Sequence, residues 1–401
     1  MKPNLIFKFT LMTIALWLQS CSKVIVYEPS DEEIAQYTQL YMPRAERGIN
    51  TSSISITGEP VVLTYNAYMG GPSIVSDDVP VVFSVDSDAV AAYNEANGTH
   101  YNVFPSEGYE LEASNAVIKA GSRTTGNFRL TVTPGNHLKL FENYLLPLRI
   151  AEAGAKINER LSVTYYAFSV GYAPGQVPRE LVLSLGTDWG NILSNGARGS
   201  LIRRNTANDI LVYMPDADGK FTDPPRTVAT NWDASESFYY VNETALVVRN
   251  YPYWAGLFSF RIDEDHGLPQ AAPFWLGDFW DRYVIVPYRD YFLTIDADGI
   301  IRRQGAFTDV NAPKTEIASG FPAYKQVLSY QNNALLALEE NGNLWYYPMS
   351  ELAVPAARKQ VGSGWDMYEK IIVSGADILA LDGAGDIYRY RFNPSGFFPL
   401  K

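Results

Sequence analysis

The sequence predicts an all-β protein, a β-sandwich followed by a five-bladed β-propeller, and three observations predict it. The second half repeats one hairpin: SLIRRNTANDILVYM from Ser200, TALVVRNYPYWAGLFSF from Thr244, YFLTIDADGIIRRQ from Tyr291, ALLALEENGNLWYY from Ala334 and DILALDGAGDIYRY from Asp377, spaced 43 to 47 residues apart. A large aromatic after small or polar residues precedes each hairpin: Trp189 in GTDW, Trp232 in TNW, Trp280 in GDFW, Phe321 in SGF and Trp365 in GSGW. A period of about 40–50 residues with several short strands marks propeller blades, none of which buries its faces alone. Ahead of the repeats, from about Ile54, seven strand-like runs at ~10–15-residue spacing have the texture of a sandwich.

Taken in order, the chain of 401 residues opens with Lys2 and Lys8 around an apolar run from Leu5 to Leu18. A run of ~14 residues is too short to span a bilayer and reads as a signal peptide over 1–20. Cys21, the one cysteine, stands where a bacterial lipobox places its acylated residue, and the segment resembles a lipoprotein signal. Residues 21–50 are then expected to form a lipidated tether, holding the protein at the outer membrane, on the cell surface. One cysteine forms no internal disulfide, so the fold must hold by packing. The net charge of −12 argues against nucleic acid and against charge-driven binding to anionic headgroups.

In the sandwich, Val79, Val81, Phe83 and Val85 alternate and should face a core. Ser87 and Asp88 are placed to cap a helix over DAVAAYNEAN, with Gly98 ending it. The run VVFSVDSDAVAAYNEANGTHYNVFPSEGYEL, then AVIKAG and NYLLPLRI, resembles the immunoglobulin-like N-terminal domain of unknown function found in surface lipoproteins of Bacteroidetes. The resemblance implies an Ig-like domain over 51–172, standing between a lipid anchor and a variable C-terminal module that often binds or acts on glycans. It brings no catalytic residues.

A linker with two prolines and a glycine follows at 173–179, and the propeller occupies 180–401. Leu335 to Leu338 and Ile378 to Leu381 are continuous apolar runs, as strands covered on both faces require. Turns such as Asp296 to Gly299 and Asp382 to Gly385 supply positive backbone dihedrals. The strand at Leu181 to Leu185 has no blade of its own and is expected to pair with the last repeat.

The three histidines, His100, His137 and His266, lie far apart in sequence. Metal, thiol and serine–histidine chemistry are therefore poorly supported, and no catalytic residue, metal or cofactor is expected. The Asp-rich turns at Asp216 and Asp296 lack the distal ligands of a calcium loop and read as hairpin turns.

Of eight tryptophans, seven fall in the propeller region. An exposed indole offers a flat face to a pyranose while neighbouring polar groups bond its hydroxyls. Asp188, Trp189, Asn231, Trp232, Asp278, Trp280 and Trp365 are the glycan-binding candidates. The alternative is that one aromatic per blade is blade-to-blade core. The stretch GSGWDMYEKIIVSGADILALDGAGDIYRY resembles the tachylectin family of five-bladed propeller lectins. That resemblance implies up to five weak sites for N-acetylated sugars, whose repetition supplies avidity. The second and fourth repeats fit it least, with Tyr251-Pro252-Tyr253-Trp254 in one and Phe321 in the other. The expected function is non-enzymatic binding of a glycan or glycoconjugate. The alternatives are a scaffold for a protein partner in a surface glycan-uptake complex and, less favoured, a glycosidase with an Asp/Glu pair ~5–10 Å apart.

Overall fold

The structure, a computed structural model, describes residues 30–401 except 188, 190, 196–198, 232–234, 242–243, 252–253, 262–273, 280–281 and 306–312. Cys21 thus lies outside the described residues. The fold is all-β with many sheets, and the chain divides into two compact units.

The first unit comprises most of the residues up to 168. Its larger sheet runs in the order Ile49–Ser55, Val163–Gly171, Asn143–Ala153, Val79–Val85 and Asn115–Ile118, with Asn102–Val103 added in parallel to Asn143–Ala153. A second sheet joins Val61–Tyr65, Phe128–Val132 and Tyr109–Leu111. Val81 and Phe83 are buried and alternate with Pro80 and Val82, and Phe83 meets Tyr65 edge to face at 5.0 Å. Such pairs suit the positive ring edge and negative ring face.

The helix Ala89–Asn97 ends at Gly98 in the left-handed region, as expected. Its start differs. Asp88 is already helical and makes no side-chain cap, and the carboxylate of Asp86 instead accepts the Ala89 N–H at 3.3 Å. The YNEANGTHY stretch is explained by Asn94, whose side chain donates to the Tyr101 carbonyl and accepts from the Tyr101 N–H, both at 2.9 Å. Of the range 21–50 expected to form a tether, the part from Leu40 on is folded structure. Leu40 and Met42 are buried, and their N–H groups donate to Lys156 and Leu161 carbonyls, so apolar side chains carry the chain into the first unit by residue 40.

The second unit, chiefly residues 169–401, contains five antiparallel sheets of four strands each. The first takes Asn191–Asn195, Leu201–Arg204, Ile210–Tyr213 and Arg226–Ala229, and the second takes Ser235–Val241, Thr244–Tyr251, Trp254–Arg261 and Phe274–Asp278. The third takes Val284–Tyr288, Tyr291–Ile295, Ile301–Gln304 and Lys314–Ala318. Gln326–Tyr330, Ala334–Leu338, Leu344–Pro348 and Lys359–Ser363 form the fourth, to which Phe398–Pro399 adds in parallel. The fifth joins Lys370–Ser374, Asp377–Leu381 and Asp386–Tyr390 to Glu180–Ser184 from the start of the unit. The first strand of each sheet lies beside that of the next, and Lys370–Ser374 lies beside Asn191–Asn195.

The hairpin strands Tyr291–Ile295 and Ala334–Leu338 are buried along their whole length, which accounts for their unbroken apolar runs. Asp216, Asp296 and Asp382 close their turns in one way. Each carboxylate accepts backbone N–H groups two and four residues on, at 3.0 and 2.8 Å, 3.1 and 2.9 Å, and 2.9 and 3.0 Å respectively. Arg302 beside Asp296, at 2.6 Å, holds that carboxyl below the usual carboxylate range. Glycine is required at 299 and 342 twice over. Both have positive φ, and a Cβ there would run into the backbone of Phe321 or into the carboxylate and backbone of Asp366.

Candidate functional site

Of the candidates read from the sequence, Trp189, Asn231 and Trp365 lie in connections between strands and Asp278 ends a strand. Asp188, Trp232 and Trp280 lie outside the described residues. Trp365 is corrected: its side chain is 0% exposed, packed against Tyr390 at 5.0 Å, and its indole N–H donates to the Phe398 carbonyl at 3.3 Å. A tryptophan so enclosed is core and offers no face to a sugar. Trp189 is half-buried against the cluster of Leu201, Tyr213 and Leu379, with its carbonyl accepting from Arg203 Nη1 at 2.9 Å. Asn231 is exposed, with φ +62°, just beyond the last strand of the first sheet.

Asp278 is the candidate that the structure places beside an open aromatic. It ends the outer strand Phe274–Asp278 of the second sheet, whose pairing with Trp254–Arg261 slips at Leu276. Leu257 pairs with Gly277 and Phe258 with Trp275, leaving Leu276 as the extra residue of a bulge. Leu276 is buried with Leu257, Ile285 and Phe292. The bulge thus anchors the strand by one apolar side chain and leaves its neighbours outward.

Trp275 is 45% exposed, and its Nε1–H donates to Asp278 Oδ1 at 3.1 Å. The hydrogen bond fixes the indole and directs a carboxylate to its edge. Phe279 follows, 47% exposed with φ +62°, a conformation that a bulky residue adopts only at a cost of about 1–3 kcal/mol. The guanidinium of exposed Arg282 lies 4.8 Å from the Phe279 ring centroid. Two pairs close in sequence therefore present an indole face with a carboxylate acceptor, and a second ring with a guanidinium donor. Such a set can stack on the C–H face of a sugar ring and exchange hydrogen bonds with its hydroxyls.

Reading the sequence missed Trp275, Phe279 and Arg282 because attention went to residues that keep the period. Trp275 does not keep it. The available signal was an adjacent aromatic pair, Phe274-Trp275, immediately before Gly-Asp in an outer strand.

Residues 36–157 match the model of a family described as a "-like, N-terminal domain". No curated protein matches the chain. Among solved structures, a Bacteroides ovatus protein provisionally described as carbohydrate binding is 12% identical, with 88% of this chain and 95% of that one covered at a TM-score of 0.30. A multidomain Bacteroides ovatus protein that includes a DUF1735 domain is also 12% identical, with 85% and 87% covered at 0.27. EndoBT-3987 of Bacteroides thetaiotamicron, solved with a Man5GlcNAc product, is 13% identical, with 39% of this chain and 34% of that one covered at 0.28. At such scores the reading of the site rests on its own geometry.

Proposed function

We propose that the protein is a lipid-anchored component of the outer membrane, displayed at the cell surface, that binds carbohydrate without catalysing its turnover. In this reading residues 180–401 form a five-bladed propeller. Five consecutive four-stranded sheets, the side-by-side first strands and the seating of Glu180–Ser184 in the last sheet support it. The leader and Cys21 support the anchor.

The observation that carries the binding reading is the exposed indole of Trp275 held by Asp278. Affinity electrophoresis of the full chain through gels containing N-acetylglucosamine-rich and host-type polysaccharides tests it. Retardation of the wild type that Trp275→Ala abolishes, with an unchanged melting temperature, is the expected result. Free migration of the wild type through every gel overturns it.

A second reading has an observation of its own. Phe274, Phe279 and Val284, near Trp275 in sequence, are exposed, and exposed apolar side chains also suit a protein partner. A stoichiometric partner in pull-downs from detergent-solubilised membranes, insensitive to competing sugar, would favour the scaffold.

A further inference from the structure

The fourth and fifth sheets build one side-chain cluster twice. In the fourth, Arg358 Nη1 donates to Tyr324 Oη at 2.7 Å, Tyr324 and Tyr347 share a hydrogen bond, and the guanidinium lies 3.9 Å from the Trp345 ring centroid. In the fifth, Arg179 Nη1 donates to Tyr368 Oη at 2.8 Å, Tyr368 and Tyr390 share a hydrogen bond of 2.6 Å, and the guanidinium lies 4.2 Å from the Tyr388 ring centroid. Strand register confirms the match. Tyr346 pairs with Lys359, one residue after Arg358, and Arg389 pairs with Glu180, one residue after Arg179.

The clusters differ in one group. Glu339 Oε1 sits 3.4 Å from Arg358 Nη1. It can do so because Asn341 caps that turn, accepting the Asn343 N–H at 3.1 Å. The matching residue of the fifth sheet is Asp382, one methylene shorter, and its Oδ1 is held by the N–H groups of Ala384 and Asp386. Arg179, exposed, therefore has phenolic hydroxyl and ring contacts and no carboxylate within ion-pair reach among the described residues. The fourth sheet shows the cluster accepting a carboxylate, and the fifth makes no such ion pair among the described residues. A planar guanidinium held against a ring is pre-organised for that task.

We propose that Arg179, with Tyr368 and Tyr388, forms a subsite for the carboxylate of an acidic sugar residue, separate from the Trp275 group. The proposal takes only the chemical source of the carboxylate from the glycan-binding reading. On a chain of net charge −12, an incoming carboxylate needs such a local cation.

Calorimetric titration of the full chain with a trigalacturonate tests it, with a neutral galactose trimer, sodium acetate and an acidic peptide of equal charge as comparisons. Binding of the acidic trimer at one site is expected, at least tenfold tighter than any comparison. Arg179→Gln should weaken it at least tenfold, and Arg179→Lys, which keeps the charge but loses the fork, should fall between. Trp275→Ala should leave it unchanged, so loss of neutral-glycan binding there separates a failure of one site from a failure of the other. Glu339→Gln should open the fourth-sheet cluster and raise the stoichiometry from one to two. A stoichiometry that stays at one, equal binding of the peptide, or undiminished binding by a folded Arg179→Gln variant overturns the proposal.

Discussion

The fourth and fifth sheets and the second and third share one hairpin plan, yet they spend their aromatic residues differently. In the former, Phe321 and Trp365 are buried, and each lies beside a bonded tyrosine pair, Tyr324 with Tyr347 and Tyr368 with Tyr390. Burial pushes the Tyr347 and Tyr390 hydroxyls up, so they stay protonated and available as donors. In the third sheet the residue at the matching register of the third strand is Gln304, fully buried, with neither amide atom hydrogen-bonded. In the second, the outer strand shares its bulge with the other sheets but carries an exposed indole at Trp275, and the bulky Phe279 takes the left-handed position that Asn231, Gly320 and Gly364 hold elsewhere. Where the once-per-repeat aromatic is kept it is buried, and in the second sheet an aromatic outside the period is left exposed.

The largest effect should come from breaking the strict side. Trp365→Ala removes a side chain enclosed by Tyr368, Tyr390 and the Phe398 carbonyl. A loss of about 3–5 kcal/mol is expected. Chemical denaturation measures it, and a loss below about 1 kcal/mol would show the ring to be dispensable to the core.

The opposite sign is expected on the lapsed side. Gln304 buries an amide without partners, and an unmet buried polar group costs about 1–3 kcal/mol. Gln304→Leu, close in volume, should raise stability by about 1–2 kcal/mol in the same assay. A loss instead would mean that the amide is met by an ordered water, and the third sheet would then be less of an exception.

The contrast also explains what could be read from the sequence. The Asx-Gly turns were legible because tight turns permit few residues, and the apolar runs because strands covered on both faces show no alternation. Glu180–Ser184 was legible as a strand without a sheet of its own, and it pairs with Asp386–Tyr390. The candidate site was not legible, because periodicity reports what every repeat must do to pack. Trp365 keeps the period and is core, whereas Trp275 stands where the other sheets place Thr227, Glu316, Gln360 and Leu181, and Arg179 matches Arg358 only through a strand from the start of the unit. Asp278 was found only through its neighbour in sequence. The helix cap falls on Asp86, one or two residues before the expected Ser87 and Asp88, because all three are competent acceptors and backbone geometry chose among them.

The smallest effect concerns the strand that opens each sheet. Gln326, first residue of the fourth sheet, exchanges hydrogen bonds with Ile371 of the fifth: its Nε2 donates to the carbonyl at 2.7 Å and its Oε1 accepts the N–H at 3.2 Å. The matching residue of the fifth sheet is Lys370, whose ammonium is pulled down from 10.5 to about 8 by burial. The folded state thus releases this proton at lower pH than the unfolded chain does. Below about pH 8 both states hold the proton and the destabilisation is at its full size. Between about 8 and 10.5 the unfolded chain binds more protons, so stability rises with pH. A shift of this size sets an upper limit near 3 kcal/mol at 1.36 per unit. Lys370→Gln also gives up the contacts of the lysine stem, so a gain of about 1 kcal/mol is expected at pH 7. That gain should shrink toward zero by about pH 10 in melting curves of the two proteins taken side by side. A gain that stays constant with pH would assign the difference to packing, and would make the first strands of the fourth and fifth sheets alike in their electrostatics.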